Sequence, residues 1–136
     1  MPHPSPIQPV QLAKGNSLQT SGGQTSGMIR QNAFADKCDG ICASRMLADA
    51  HTASAVHHHG AQDTVIFAVS GRGTITSEGG KHRVDLEPGD YCLIPAYAEH
   101  QEINDGDEQL VLAVFRSGRM PEVVNLSGWG GEPVDS

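Results

Sequence analysis

From Phe34 onward, short apolar runs alternate with turn signals along the chain. Asp39-Gly40 separates two such runs, as a hairpin turn requires, and ICASRMLA (41–48) follows it. TASAVHHH (52–59) and TVIFAV (64–69) come next. GTITS and HRVDL flank Glu78-Gly79-Gly80-Lys81, a second hairpin signal. YCLIP follows the turn Glu87-Pro88-Gly89-Asp90, and HQEIN leads through DGDE to QLVLAVF (109–115). Apart from CASRMLADA, whose pattern is ambiguous, no segment keeps a helical period for ten residues. Short strands at regular spacing predict an all-β protein, an antiparallel sandwich or barrel.

TVIFAV and LVLAVF are apolar at both parities, whereas a strand with one wet face alternates. Their outer face is therefore expected to be covered. A barrel of this size has few helices to spare, which favours a homodimer; the alternative is the N-terminal arm or C-terminal tail folding back over the sheet.

Length and composition fix the frame. The 136 residues suit one domain. Residues 1–32 are expected to be a flexible or partly ordered arm, because Met1 to about Gly27 is rich in Pro, Gln, Ser, Thr and Gly and buries too little to offset its ordering entropy. Within it, TSGGQTSG (20–27) reads as a connector. Residues 33–120 form the barrel and 121–136 a tail that packs on or near it through Val123, Val124 and Leu126, with Trp129 as a packing plug. Sixteen acidic residues against nine basic ones give a net charge of -7, with no basic cluster. That excludes phosphate-driven nucleic-acid binding and polybasic membrane attachment, and no helix-turn-helix fits outside the barrel. No apolar run approaches the ~20 residues of a membrane span, and MPHPSPIQPV has neither a charged n-region nor an apolar h-region. A soluble, cytoplasmic protein is expected, with Cys38, Cys42 and Cys92 reduced.

The chemistry gathers around Val56-His57-His58-His59-Gly60-Ala61-Gln62-Asp63. In a strand His57 and His59 share a face while His58 points away. Two neighbouring imidazoles suit a divalent Fe, Mn, Ni, Cu or Zn ion, although such a pair alone is a weak signal. A third histidine stands in a specific context. Gly89, Pro95, His100 and Asn104 fall at the spacing of the second signature of the cupin superfamily, which the segment 89–104 resembles. Tyr97 departs from it, standing where Gly is usual. His57, His59 and Gly71 match the first signature in its longer form, and the resemblance covers roughly residues 34–116. It implies a small, single-domain, RmlC-like cupin: an antiparallel jelly-roll-like β-barrel whose metal ligands are His57, His59 and His100.

The third-ligand slot departs from the family. The longer spacing puts Thr64 where the family has Glu. Asp63 fills the slot under the shorter spacing, and Gln62 would offer a neutral carbonyl if the loop bulged. The remaining possibility is a three-histidine site with no protein carboxylate, as in the thiol dioxygenase branch. Glu102 shares the face of His100 and is a candidate general base or outer partner of the ligands. Tyr97, on the loop before His100, is a candidate for the mouth of the pocket, and His51 and His82 read as solvent-facing loop and hairpin residues. The resemblance implies a metal-dependent enzyme on a small oxygenated metabolite, an oxygenase or a Lewis-acid lyase or isomerase. The alternatives are a cupin that captures a small ligand or metal without turnover, and a metal-free epimerase-type cupin.

Overall fold

Cys42, Ser44, Met46 and Ala48 point inward from one strand, and the residues between them are more exposed. The segment that was ambiguous between helix and strand is therefore extended, because its alternate side chains complete an apolar interior. The computed structural model describes residues 7–21 and 26–134. In chain order the strands are β1 (Gln19–Ser21), β2 (Met28–Phe34), β3 (Ile41–Ala48), β4 (Thr52–Ala53), β5 (His57–His58) and β6 (Thr64–Ser70). They continue as β7 (Gly73–Ser77), β8 (His82–Leu86), β9 (Tyr91–Ile94), β10 (His100–Asn104), β11 (Leu110–Ser117) and β12 (Val124–Asn125). One sheet runs β1-β2-β3-β11-β6-β9 and the other β12-β5-β10-β7-β8, with β4 also on β10. All pairings are antiparallel. Met46, Ile66 and Leu112 of the first sheet meet Ile75 and Leu86 of the second in one apolar core. This is the all-β, jelly-roll-like barrel that the strand spacing predicts.

The Glu78–Lys81 hairpin forms as expected, with Ser77 opposite His82. The run 52–59 is not one strand. At Ser54 the hydroxyl, not the backbone carbonyl, accepts the Glu102 N–H at 3.0 Å and also lies 2.9 Å from a Glu102 carboxylate oxygen, and the run splits there into β4 and β5. The first sheet also begins inside the stretch expected as an arm. β2 pairs along β3 from Met28, whose side chain is buried. The Pro- and Ser-rich composition upstream hides this strand from a reading of averages. The expected connector 20–27 lies partly outside the described residues, as does the start of the arm.

The outward side chains Ile29, Val65, Val69 and Phe115 are 43, 39, 48 and 40 % exposed. Gln8, Pro9 and Gln11 lie beside Phe34, Ile41 and Phe115 around an apolar groove of about 570 Å³ at one end of this sheet. The N-terminal segment thus borders part of the apolar face.

Two family positions have plain structural reasons. Gly71 has φ +76°, and a Cβ there would run into the Gln109 carbonyl. Asn104 is 1 % exposed; its Nδ2 donates toward the carbonyls of Ala48, Asp49 and Glu108 at 3.0, 3.1 and 2.8 Å, and its Oδ1 accepts from Gly106 N–H. It clamps β10 to the end of β3 and to the turn before β11. Asn104→Ala removes two N–H donors from these carbonyls and the acceptor of Gly106 N–H, and is expected to cost roughly 3 kcal/mol, read as a lowered urea midpoint at unchanged m-value.

Candidate metal centre

His57 on β5 and His100 on β10 are directly opposed across the ladder. His59 follows β5 at the same parity as His57, and Glu102 lies two residues beyond His100 on the same face. The ring centroids are 4.3 Å apart for His57–His100, 4.7 Å for His59–His100 and 5.4 Å for His57–His59. Glu102 Oε2 is 3.2 Å from His57 Nε2, and Oε1 is 3.6 Å from His100 Nε2. One donor atom from each of the four residues lies within 4.8 Å of all the others. All four are at most 4 % exposed.

Each imidazole is held from behind. His57 Nδ1 donates to the Ala55 carbonyl at 2.8 Å, and His100 Nδ1 to the Ala98 carbonyl at 2.9 Å. His59 Nδ1 bonds Thr64 Oγ1 at 2.8 Å. The carbonyls place the protons of neutral His57 and His100 on Nδ1, which leaves their lone pairs on Nε2. Among the described residues, none of the three Nε2 atoms has a hydrogen-bond partner of good geometry; Glu102 stands beside those of His57 and His100 as an ion-pair contact. Buried polar atoms are seldom left so, and three gathered beside a carboxylate are what one divalent cation would satisfy.

The charges in the cluster are strongly coupled. Burial opposes ionisation of Glu102, but His57 and His100 override it and hold the carboxyl well below its ordinary value. Burial likewise disfavours protonated His57, yet the adjacent Glu102 charge raises its pKa. His59 goes the other way: burial, reinforced by the positive charge of Arg116, lowers it to about 2. A neutral imidazole is the metal-ligating form, so His59 is ready to coordinate without losing a proton.

Two residues considered for the third-ligand slot point elsewhere. Gln62 Nε2 donates to the Met120 carbonyl at 2.6 Å and Oε1 accepts from Glu122 N–H at 2.8 Å, which uses its amide to tie down the C-terminal segment. Asp63 Oδ1 accepts the Ala96 N–H at 2.9 Å, bracing the loop before β10. Asp63 does not belong to the cluster, and the amide of Gln62 is engaged by Met120 and Glu122 after the chain turns at Gly60 and Ala61. The carboxylate is present, but on β10 rather than β6. Thr64, in the family's Glu position, instead holds His59. Tyr97 is 66 % exposed, its ring 5.9 Å from that of the outward His58. Its φ of +63° explains why Gly is usual there. A narrow cavity of about 100 Å³ leads past Ile75, Val84, Cys92 and Ile94 to His100, and Tyr97 is not among its lining residues. His51 bonds Asp107 on the surface, and His82 is exposed.

Sequence reasoning missed Ser54, behind Glu102, and two arginines. Arg116 stands at the inward parity of Leu110, Leu112 and Val114 and is 3 % exposed. A lone charge at the apolar parity of a strand was the available signal. Arg30 shares the parity of buried Met28 on β2.

A jelly-roll barrel with imidazoles and a carboxylate gathered between its sheets belongs to a class built around an internal site. Residues 45–115 match the Cupin domain family, and the chain belongs to that family. It is 42 % identical over 76 residues to an acireductone dioxygenase of Bacillus mycoides (strain KBAB4), a match covering 53 % of this chain and 40 % of that protein. The chain thus matches less than half the length of that curated relative. Among solved structures, the polyketide cyclase RemF from Streptomyces resistomycificus superposes with a TM-score of 0.70 at 13 % identity, covering 88 % of this chain and 84 % of that one. An RmlC-like cupin from Shewanella frigidimarina NCIMB 400 gives 0.65 at 19 % identity over 82 % and 93 %. At these identities the likeness is one of fold.

Proposed function

We propose that His57, His59, His100 and Glu102 hold one divalent Fe, Mn, Ni, Cu or Zn ion, and that the chain is a metal-dependent enzyme acting on a small oxygenated metabolite. The observation that carries this reading is the set of three buried Nε2 atoms without partners, converging beside a buried carboxylate. A bound ion would supply Lewis acidity to substrate oxygens or, if redox-active, electrons for chemistry with dioxygen. The chain supplies the rest. Ala55 and Ala98 fix the tautomers of His57 and His100, Thr64 orients the His59 ring, Ser54 orients Glu102, and the flanking apolar core excludes water. The partial likeness to an acireductone dioxygenase supports the oxygenase form over the lyase or isomerase form.

The test is oxygen uptake and product formation by protein reconstituted with each ion in turn, over a panel of small hydroxy- and oxo-acids, ketones and enediols. Turnover that disappears in His100→Ala is expected. Tight ligand retention with no turnover would instead make the chain a binding module.

The uncovered apolar face of the first sheet supports assembly as a homodimer through Val65 and Phe115. Light scattering is expected to give twice the mass of the chain, falling to one chain in the Val65→Glu, Phe115→Glu double variant. A monomeric wild type would refute the dimer. Among the described residues no helix is long and apolar enough to cross a membrane.

A further inference from the structure

Arg116 is the least expected residue of the interior. It lies opposite Thr64, which holds His59, across the β11–β6 ladder, and its charge is close enough to act on His59. Nη1 donates to the Glu122 carbonyl at 3.0 Å, while Nε is buried and, among the described residues, has no hydrogen-bond partner. Arg30, half-buried on the same inner face, adds a second positive charge that acts on both Arg116 and His57. Burial lowers Arg116 to about 10, which leaves it cationic at neutral pH. Glu102 is the carboxylate whose charge reaches both guanidiniums.

Glu102 therefore faces the buried Arg116 guanidinium and, under the function proposed above, the two charges of the ion. Buried positive charge in such excess is costly unless a ligand brings negative charge with it. A planar guanidinium with a buried, unpartnered Nε–H matches a carboxylate in shape as well as in charge. We propose that the site takes a small organic anion, a 2-oxo or 2-hydroxy carboxylate, whose carboxylate group is received by Arg116, while its remaining oxygens face the cluster of His57, His59, His100 and Glu102. The proposal rests on the metal-site reading and names the substrate class of that same site. It sets Arg116 as a specificity residue, favouring acids over neutral ketones or diols of the same size.

The experiment compares wild type and Arg116→Gln, each reconstituted with the same ion. Ion content is measured by elemental analysis, and binding of pyruvate and its neutral analogue acetol by calorimetry. Equal ion content is expected, with pyruvate binding wild type at least ~10-fold more tightly than acetol and that preference lost in the variant. No preference in wild type, or a preference that survives in Arg116→Gln, overturns the proposal. Because Arg116 also ties down Glu122, Arg116→Lys is run alongside; it keeps the charge and loses the planar fork, so a weakened preference supports the proposal and an unchanged one contradicts it. If wild type takes up no ion, ion content alone shows that the metal reading has failed. Pyruvate binding by the metal-free protein that depends on Arg116 then still supports the anion subsite, and its absence overturns it.

Discussion

Glu102→Gln lowers the affinity for a divalent ion by on the order of 100-fold while the barrel stays folded. Even partners outside the direct ligand shell contribute 10–100-fold, and the amide removes the one negative charge set against three imidazoles. Gln keeps the size of the side chain and can still meet the Ser54 hydroxyl, so the loss reads charge rather than packing. In the metal-free protein the same change removes the charge that raises His57, and the His57 pKa falls. Competition with a chromogenic chelator measures the first effect, and histidine ring NMR shifts against pH the second. An affinity within about threefold of wild type would remove Glu102 from the site, since so small a change is under 1 kcal/mol.

The metal-free protein loses stability as the pH falls below about 6.5, chiefly through His59. Its folded pKa is depressed to about 2 by burial and the charge of Arg116, so the unfolded chain takes a proton in this range and the native state does not. The unfolded state binds more protons, and this group makes stability rise with pH by about 1.4 kcal/mol per unit near pH 5, declining to about half of that at pH 6.5. Below that window Glu102 adds to the loss, because its folded pKa is also depressed. His57 has the opposite sign: its raised pKa gives stability that is complete below its unfolded value and lost as the pH rises through the folded one. Urea midpoints of chelator-treated protein from pH 4.5 to 6.5 are expected to follow the His59 slope and to flatten in His59→Asn. An equally steep dependence in that variant would place the acid sensitivity elsewhere.

The sequence carried the barrel because alternation is local. The parity of β3, the Glu78–Lys81 hairpin and the placement of His57 and His59 on one face need only neighbouring residues. Glu102 was legible as a face-mate of His100 for the same reason. Its contact with His57 was not, since that depends on β5 and β10 pairing in one register across 44 intervening residues. Gln62 and Asp63 misled because their spacing fits a ligand slot, while the backbone turn after His59 sends both toward Met120, Glu122 and Ala96. Tyr97 misled in the same way: a loop aromatic before a ligand suggests a pocket wall, but positive φ directs it outward beside His58. Arg116 and Arg30 acquire meaning only once β2, β3 and β11 lie side by side. β2 itself was obscured because seven ordered residues follow a long polar stretch whose composition dominates the average.

The central claim is that His57, His59, His100 and Glu102 form one metal centre. Elemental analysis of untagged protein after reconstitution, alongside His57→Ala and His100→Ala, tests it most directly. The structure predicts about one divalent ion per chain in wild type, and none in either variant although both keep the β-sheet circular dichroism of the barrel. A folded wild type that retains no Fe, Mn, Ni, Cu or Zn, or variants that retain as much as wild type, would contradict it.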